Sequence, residues 1–295
     1  MIAVKTRCKI LINSHAGKNA REAGEDELRR AIRDLEIDAE IVATGSVEQM
    51  EETVERLVRE GVDRIGIAGG DGTIARAVQR LAYTETALGI IPMGTANNFA
   101  AALHLPTGME SALRILAEGR VREVDLGKVI NRYFTEAAGV GLYADALAIY
   151  GAGTNKSFVR GVYAMLRVFF SFKAHRLQLT LDGKRHTERA VMCTAANSYR
   201  MGACVSLAPD ATITDGALNV VIIGDLTRSE LVSYYRSLRA QTHTALPKTS
   251  SVSAREVRIE SRHRMNVHCD DRIVGVTPVT ITSEPRALKV LVEPL

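Results

Sequence analysis

Through residue 125 the chain alternates short apolar runs with longer stretches whose apolar positions recur every three or four residues. Residues 8–13 form a short apolar run that reads as a buried strand. Residues 19–35 are charged, with apolar positions at helical spacing. Residues 39–43 make a second strand. Ser46 then caps a helix that runs through Arg59, with Glu48 in its first turn. A third strand covers 64–68, an amphipathic helix 74–81 and a fourth strand 87–91. Strand and helix alternating in this way predict a parallel sheet flanked by helices.

Near Val121 the pattern changes to short alternating segments at 132–141, 176–181, 189–195, 217–223, 256–260 and 279–282. These predict a mostly antiparallel β domain, interrupted by two helices at about 157–174 and 227–242. The last strand, 288–293, is expected to return to the first domain. The division is therefore 1–125 with a C-terminal strand at about 285–295, and 126–284. Helix 157–174 carries Phe158, Val162, Met165, Leu166 and Phe169 at helical spacing beside Arg160, Arg167 and Lys173. Such a stripe is first of all core packing; a basic amphipathic helix resting on anionic lipid is the other reading.

Composition adds little to this picture but excludes some classes. At 295 residues, 46% hydrophobic and 24% charged, the chain is ordinary for a globular protein of one or two domains. A net charge of +4 and a pI near 8.9 suit anionic ligands or an anionic membrane surface, and are too weak to argue for nucleic acid. Cys8, Cys193, Cys204 and Cys269 show no C-x-x-C spacing, which points to reduced, packing thiols in a cytosolic protein. Residues 1–11 carry charge without a long apolar core and read as a first strand, not a signal peptide. No apolar run reaches the ~18 residues of a membrane span, so action on a membrane would be from its surface.

The chemistry is concentrated in turns. Gly69-Gly70-Asp71-Gly72-Thr73 follows one strand and precedes a helix. Glycines there let bare backbone N–H groups approach a ligand, and the helix N-terminus favours an anion. Asp71 repels phosphate unless a divalent cation or a proton in transit sits between them. A second turn, Gly94-Thr95-Ala96-Asn97, again leaves a strand for a helix, and its polar side chains would meet phosphate or cap the helix. Asn13 ends the first strand before Ser14-His15-Ala16-Gly17, a weaker anion-binding candidate or a simple polar turn. These strand ends, with Thr44-Gly45, would line one edge of the sheet, where open α/β sheets bind ligands. Asp215-Gly216 reads first as a hairpin turn; an Asp at a turn with nearby carbonyls is also a hard-cation site. Asp270-Asp271-Arg272 reads as a solvated hairpin turn.

Taken in order, these segments resemble the diacylglycerol kinase catalytic-domain family, which includes bacterial lipid kinases and the sphingosine and ceramide kinases. Gly69–Thr73 is similar to its G-G-D-G-T, Pro92–Ala100 to P-x-G-T-x-N-D-F-A, Asn13–Gly17 to N-P-x-[SA]-G, and Pro209–Leu218 to P-x-A-x-x-x-D-G-x-L. Residues 133–146 resemble the segment that opens the family's β domain. The resemblance implies an α/β nucleotide domain, a β-sandwich-like domain, an active site between them, and ATP- and Mg²⁺-dependent phosphorylation of a lipid hydroxyl. It implies ATP contacts at Asn13, Thr44, Gly69, Gly70, Asp71, Gly72, Thr73, Gly94, Thr95 and Asn97. It also implies Mg²⁺ ligation by Asp215 with the backbone carbonyls of Thr212 and Ala217. The expected partner is a lipid at the membrane surface, met by a cytoplasmic, peripheral protein that is a candidate homodimer. Three positions depart from the pattern: Ser14 for proline, Asn98 for aspartate, and Arg272 for the glutamate that takes the proton. Arginine is no base at neutral pH, so Asp71 or Asp270 is the expected substitute. In an extended chain Asp270 and Arg272 share a side and Asp271 lies opposite. A catalytically weakened regulator and an NAD kinase-like enzyme are the alternatives.

Overall fold

The computed structural model describes residues 7–13, 18–151, 158–202 and 205–294. Ser14 to Gly17 of the first loop, the extreme N-terminus and Cys204 lie outside them. The chain forms two compact units, Met1–Val124 with Arg286–Leu295, and Asp125–Pro285.

In the first unit β1 (Cys8–Asn13), α1 (Lys18–Asp34), β2 (Glu40–Thr44), α2 (Val47–Arg59), β3 (Arg64–Gly69), α3 (Asp71–Leu81), β4 (Ala87–Pro92), α4 (Asn98–Ala102) and α5 (Met109–Glu118) follow one another. The strands lie in the order β2-β1-β3-β4, all parallel. The last strand of the chain joins beside β4, also parallel, with Val290 opposite Leu88. Ile65–Ala68 and Ala87–Ile91 are buried throughout, because a parallel sheet is covered on both faces and its strands read as unbroken apolar runs. Leu116 of α5 seats on the paired Gly66 and Gly89, where an added Cβ would lie 2.8 and 2.5 Å from its methyls. Helix α5 itself escapes the sequence pattern. Helix α2 begins as predicted: Gln49 N–H donates to Ser46 Oγ at 3.1 Å.

The second unit contains β5 (Arg120–Val129, entering from the first unit), β6 (Arg132–Phe134), β7 (Ala137–Gly141), α6 (Leu142–Tyr150), α7 (Phe158–Ser171), β8 (His175–Leu181) and β9 (Lys184–Ala196). It continues with β10 (Arg200–Met201), β11 (Val205–Ser206), β12 (Leu218–Gly224), α8 (Arg228–Arg239), β13 (Thr249–Ala254), β14 (Glu256–Ser261), β15 (Asn266–Cys269), β16 (Arg272–Val276) and β17 (Val279–Val292), which ends in the first unit. Its pairings are antiparallel: β16-β15-β7-β9, then β9 with β8 and β12, β12 with β13, and β8-β14-β17. Strand β12 feeds two apolar layers. Val220 and Ile222 join Leu177, Leu179, Val257 and Ile281 on one face. Val221 and Ile223 join Leu226 and Tyr234 on the other. This is the α/β plus antiparallel β-sandwich-like architecture that the sequence predicts.

Three expectations need correction. Helix α7 is not a core helix: only Ala164 and Val168 of its described side chains are buried, while Val162, Met165 and Leu166 face outward. Asp215-Gly216 is not a hairpin turn, because β12 pairs with β9 and β13 and the residues before it, 207–217, form no strand. Helix α3 starts at Asp71 rather than Ile74, since Gly70 C=O already accepts from Thr73 N and Ile74 N at 2.9 and 3.1 Å.

Candidate functional site

At the C-terminal ends of β3 and β4 the two glycine turns touch. A Cβ built on Gly70 would lie 2.9 Å from Gly94 Cα, and one on Gly94 2.5 Å from Gly70 Cα. Only glycine at both positions lets the backbones meet. Asn97 locks the second turn: Gly94 N–H donates to its Oδ1 at 3.0 Å, and its Nδ2 donates to Gly94 C=O at 2.9 Å. It sits at φ 49° and its side chain does not cap α4, so the expected choice between phosphate and helix capping gives way to turn closure. The cap comes from elsewhere, because Phe99 N–H donates to Asp71 Oδ1 at 3.2 Å. Asp71 therefore stands in the first turn of α3 and stitches α3 to α4.

Helix α3 has no side-chain cap at Gly70. By helix geometry the N–H groups of Asp71 and Gly72 precede its internal ladder, and with the helix dipole they favour an anion. Thr73 packs on Gly69, and Thr95 is exposed at the rim. Asn13 ends β1, beside Thr44 in the register. Thr44 departs from expectation: it is wholly buried and its hydroxyl donates to Ile12 C=O at 3.2 Å, joining β2 to β1 rather than facing a ligand.

In the second unit Asp215 lies in the exposed loop before β12. Its Oδ1 accepts from Ala217 N–H at 3.0 Å, and Gly216, at φ 73°, donates its N–H to Asp125 Oδ2 at 2.6 Å. Asp125 is buried and its own N–H donates to Ile213 C=O. Asp125 thus pins the loop that carries Thr212, Asp215 and Ala217. Among the described residues no three or more His, Cys, Asp or Glu side chains gather as a metal centre. Any cation here would rely on one carboxylate and main-chain oxygens, which suits a hard ion that keeps its waters.

The Asp270-Asp271 turn joins β15 to β16, with Cys269 opposite Arg272. Strand alternation therefore does not run across it, and the expected sidedness of 270, 271 and 272 fails. Nor is it a solvated turn at Asp270, which is 8% exposed at φ 48°. Its carboxylate accepts from the N–H groups of Thr135, Glu136 and Ala137 at 3.2, 2.9 and 3.2 Å. Burial raises its pKa, and the three N–H donors oppose the rise. Asp270 is therefore an anchor for the β6–β7 loop, a carboxylate that burial makes more basic but also shields from solvent. Asp271 is the more accessible acid, 39% exposed, with Arg272 Nε 3.5 Å from its Oδ1.

Around this hairpin sit residues that the sequence reading did not single out. Tyr143 of α6 meets the His268 ring edge-to-face at 4.8 Å. Burial and the acids Glu136, Asp271 and Asp270 push the Tyr143 pKa upward. Burial pushes the His268 imidazole down to about 3, against a weaker, opposing backbone contact with Asp270. Glu136 is buried and accepts from Gly202 N–H at 2.8 Å. An acid inside an apolar run, as in Val124-Asp125-Leu126, is the one signal that would have found such a residue.

Comparison with known proteins gives the same order of parts. Residues 7–129 match the model of the diacylglycerol kinase catalytic domain. Residues 138–292 match the YegS C-terminal NAD kinase beta sandwich-like domain. Diacylglycerol kinases of Staphylococcus aureus strains RF122 / ET3-1 and JH9 are each 28% identical over 97% of this chain and 92% of theirs. A crystal structure described as a diacylglycerol kinase from Bacillus anthracis superposes with a TM-score of 0.78 at 22% identity, covering 98% of both chains. That last likeness concerns the fold.

Proposed function

Because the chain belongs to the diacylglycerol kinase catalytic-domain family, we propose that this phosphotransferase is an ATP-dependent lipid kinase acting on a hydroxyl of diacylglycerol or a related lipid. The observation that carries the reading is the contact between Gly70 and Gly94 beside the uncapped start of α3. A Cβ at either glycine would push apart the two turns whose bare backbone a polyphosphate would approach.

When bound, ATP supplies the phosphoryl group and Mg²⁺ neutralises charge on its phosphates. The chain's own work is positioning and charge placement, which dominate phosphoryl transfer. The N–H groups at the start of α3 and the turn held by Asn97 orient the phosphates. Asp71, fixed by Phe99 N–H, holds a negative charge where a cation is needed between it and the nucleotide. Asp215, with the carbonyls of Thr212 and Ala217, offers the oxygen donors for Mg²⁺, on a loop held by Asp125. Of the hairpin carboxylates, Asp271 is the exposed one that a substrate hydroxyl can reach, whereas Asp270 is buried on three N–H donors. General-base help contributes ~10²–10⁴-fold, so the loss of a glutamate at the Arg272 position slows turnover without abolishing it.

The test is purified protein with labelled ATP, Mg²⁺, and micelles of diacylglycerol, sphingoid base or phosphatidylglycerol, with NAD in parallel. Labelled lipid above an Asp71→Ala background supports the proposal, and its absence sinks it. Labelled NAD would favour a soluble-substrate kinase, the reading that the name of the C-terminal model brings forward. A second reading, a weakened member that binds and regulates, is motivated by Asn98 and Arg272. A large gain in turnover in Arg272→Glu would favour it; loss of turnover would place Arg272 in a working site.

A further inference from the structure

The loop at 207–217 forms no strand, yet hydrogen bonds hold its peptide groups in place. Asp125 holds the later half. Its N–H donates to Ile213 C=O at 2.7 Å, and its Oδ2 accepts from Gly216 N–H at 2.6 Å. In the earlier half Ala211 N–H donates to Ala208 C=O at 2.9 Å, which closes 208–211 into one turn. Leu207, Ala208, Ala211 and Ile213 are buried, while Thr212 and Asp215 face outward. Thr212 therefore stands between two held peptides, and the direction of its carbonyl follows from theirs.

The earlier half has its own clamp, His243. This residue opens a single 3₁₀ turn, His243–Ala245, that packs between α8 and β13. Its ring is wholly buried and meets Tyr234 of α8 edge-to-face at 5.7 Å. Its Nε2 lies 2.7 Å from Leu207 C=O, across 36 residues of chain. A carbonyl only accepts, so Nε2 carries a proton. Among the described residues Nδ1 has no hydrogen-bond partner. Bulk does not explain such a ring. A leucine would fill this apolar layer, where Leu207, Tyr234 and Leu246 pack, without burying an unmatched nitrogen. What leucine could not supply is the N–H at Leu207.

We propose that His243 is a positioning residue of the candidate cation loop. By donating from Nε2 to Leu207 C=O it holds the start of the loop, so that the turn at 208–211 aims the Thr212 carbonyl from one side while Asp125 holds 213–216 from the other. This deepens the reading of Asp215, Thr212 and Ala217 as ligands of a divalent cation, and it rests on that reading.

The test is calorimetric titration of Mg²⁺ into protein freed of metal by chelation, with Asp215→Ala to identify the heat that belongs to this loop. Hydrogen exchange of 207–217, read by mass spectrometry, runs in parallel. His243→Leu keeps the bulk and removes the donor. It should weaken Mg²⁺ binding about tenfold and speed exchange across 207–217 by a similar factor. His243→Gln brings an amide nitrogen to the Nε2 position and should restore both to within about threefold of wild type. A ring that only packs would lower the melting temperature in circular dichroism without moving Mg²⁺ affinity, and glutamine would do no better than leucine. Either result overturns the proposal. Should the leucine variant fail to fold, the wild type still decides. Nitrogen NMR of the labelled ring, assigned by its absence from the glutamine variant, should show a proton on Nε2, and a ring protonated at Nδ1 alone overturns the bond. The two readings also fail separately. If Asp215→Ala leaves the Mg²⁺ heat unchanged, the cation reading falls. Exchange that rises in His243→Leu and recovers in His243→Gln would then still support His243 as the clamp of this loop, and exchange equal in all three proteins would overturn it.

Discussion

Substituting Gly94 by alanine tests the contact at the heart of the first unit. The new Cβ would lie 2.5 Å from Gly70 Cα and 2.8 Å from Asn97 Oδ1. Carbon atoms in ordinary contact stay ~3.5–4.0 Å apart, so the turns must separate by about 1 Å or more. The nearer obstacle is backbone, and Asn97 is itself held by two bonds to Gly94. Gly94 is not at positive φ, so alanine adds no torsional strain and the cost is packing alone. Overpacking costs ~1–3 kcal/mol, and the stiffer unfolded chain offsets ~0.4–1 kcal/mol of it. A net loss of about 1–2 kcal/mol should appear in urea unfolding, alongside a tenfold or larger loss of ATP affinity by calorimetry. A urea midpoint at or above that of the wild type would refute the contact. Lost stability with unchanged ATP affinity would refute its place in the nucleotide site.

Other consequences follow from the second unit. Gly161→Ala, whose Cβ meets only Tyr150 at 3.7 Å inside α7, should raise stability by about 0.5–1 kcal/mol; a lower melting temperature would contradict the helix. Asp270→Ala should cost about 3 kcal/mol or more, since it strands up to three buried N–H donors at ~1–3 kcal/mol each; a near-native urea midpoint would remove Asp270 as an anchor. His268 is held neutral in the fold, with its pKa down to about 3 from an ordinary 6.5. Its contribution is therefore full above pH 6.5 and is lost as pH falls toward 3, at up to ~1.4 kcal/mol per pH unit. His268→Leu should flatten the acid side of the pH–stability curve by one proton, and an unchanged slope would show that the ring is hydrated.

The sequence makes legible what depends on local rules. Parallel strands that are buried on both faces show as unbroken apolar runs, and Ser46 announces α2. The glycine pairs mark close backbone approach before any coordinates exist. Helix α7 misled because periodicity reports an apolar stripe and not what covers it. Helix α6 and the Asp215 loop escape local rules because their form follows from tertiary contacts, such as Asp125 with Gly216 across 91 residues. The sequence pattern around Asp270 gives no sign of its burial because its amide partners lie 133–135 residues away.

Asp71, Asp125 and Asp270 share this long-range use: each accepts a main-chain N–H from a distant segment. A carboxylate in a conspicuous motif is thus a clip as well as a candidate for chemistry, and truncation removes both roles together. At Asp71 the two separate. Asp71→Asn keeps an oxygen for Phe99 N–H and removes the charge, whereas Asp71→Ala loses the bond that caps α4. The alanine variant should lose ~1 kcal/mol of stability, as for other lost caps, and the asparagine variant should stay within ~0.5 kcal/mol of wild type. If the Asp71 charge takes part in phosphoryl transfer, turnover should fall steeply and equally in both. If Asp71 is only a clip, turnover should track stability, and asparagine should work nearly as well as aspartate. Paired urea and turnover measurements on the two variants distinguish these cases, and near-wild-type turnover in Asp71→Asn would remove Asp71 from the chemistry while leaving the glycine contact as the nucleotide site.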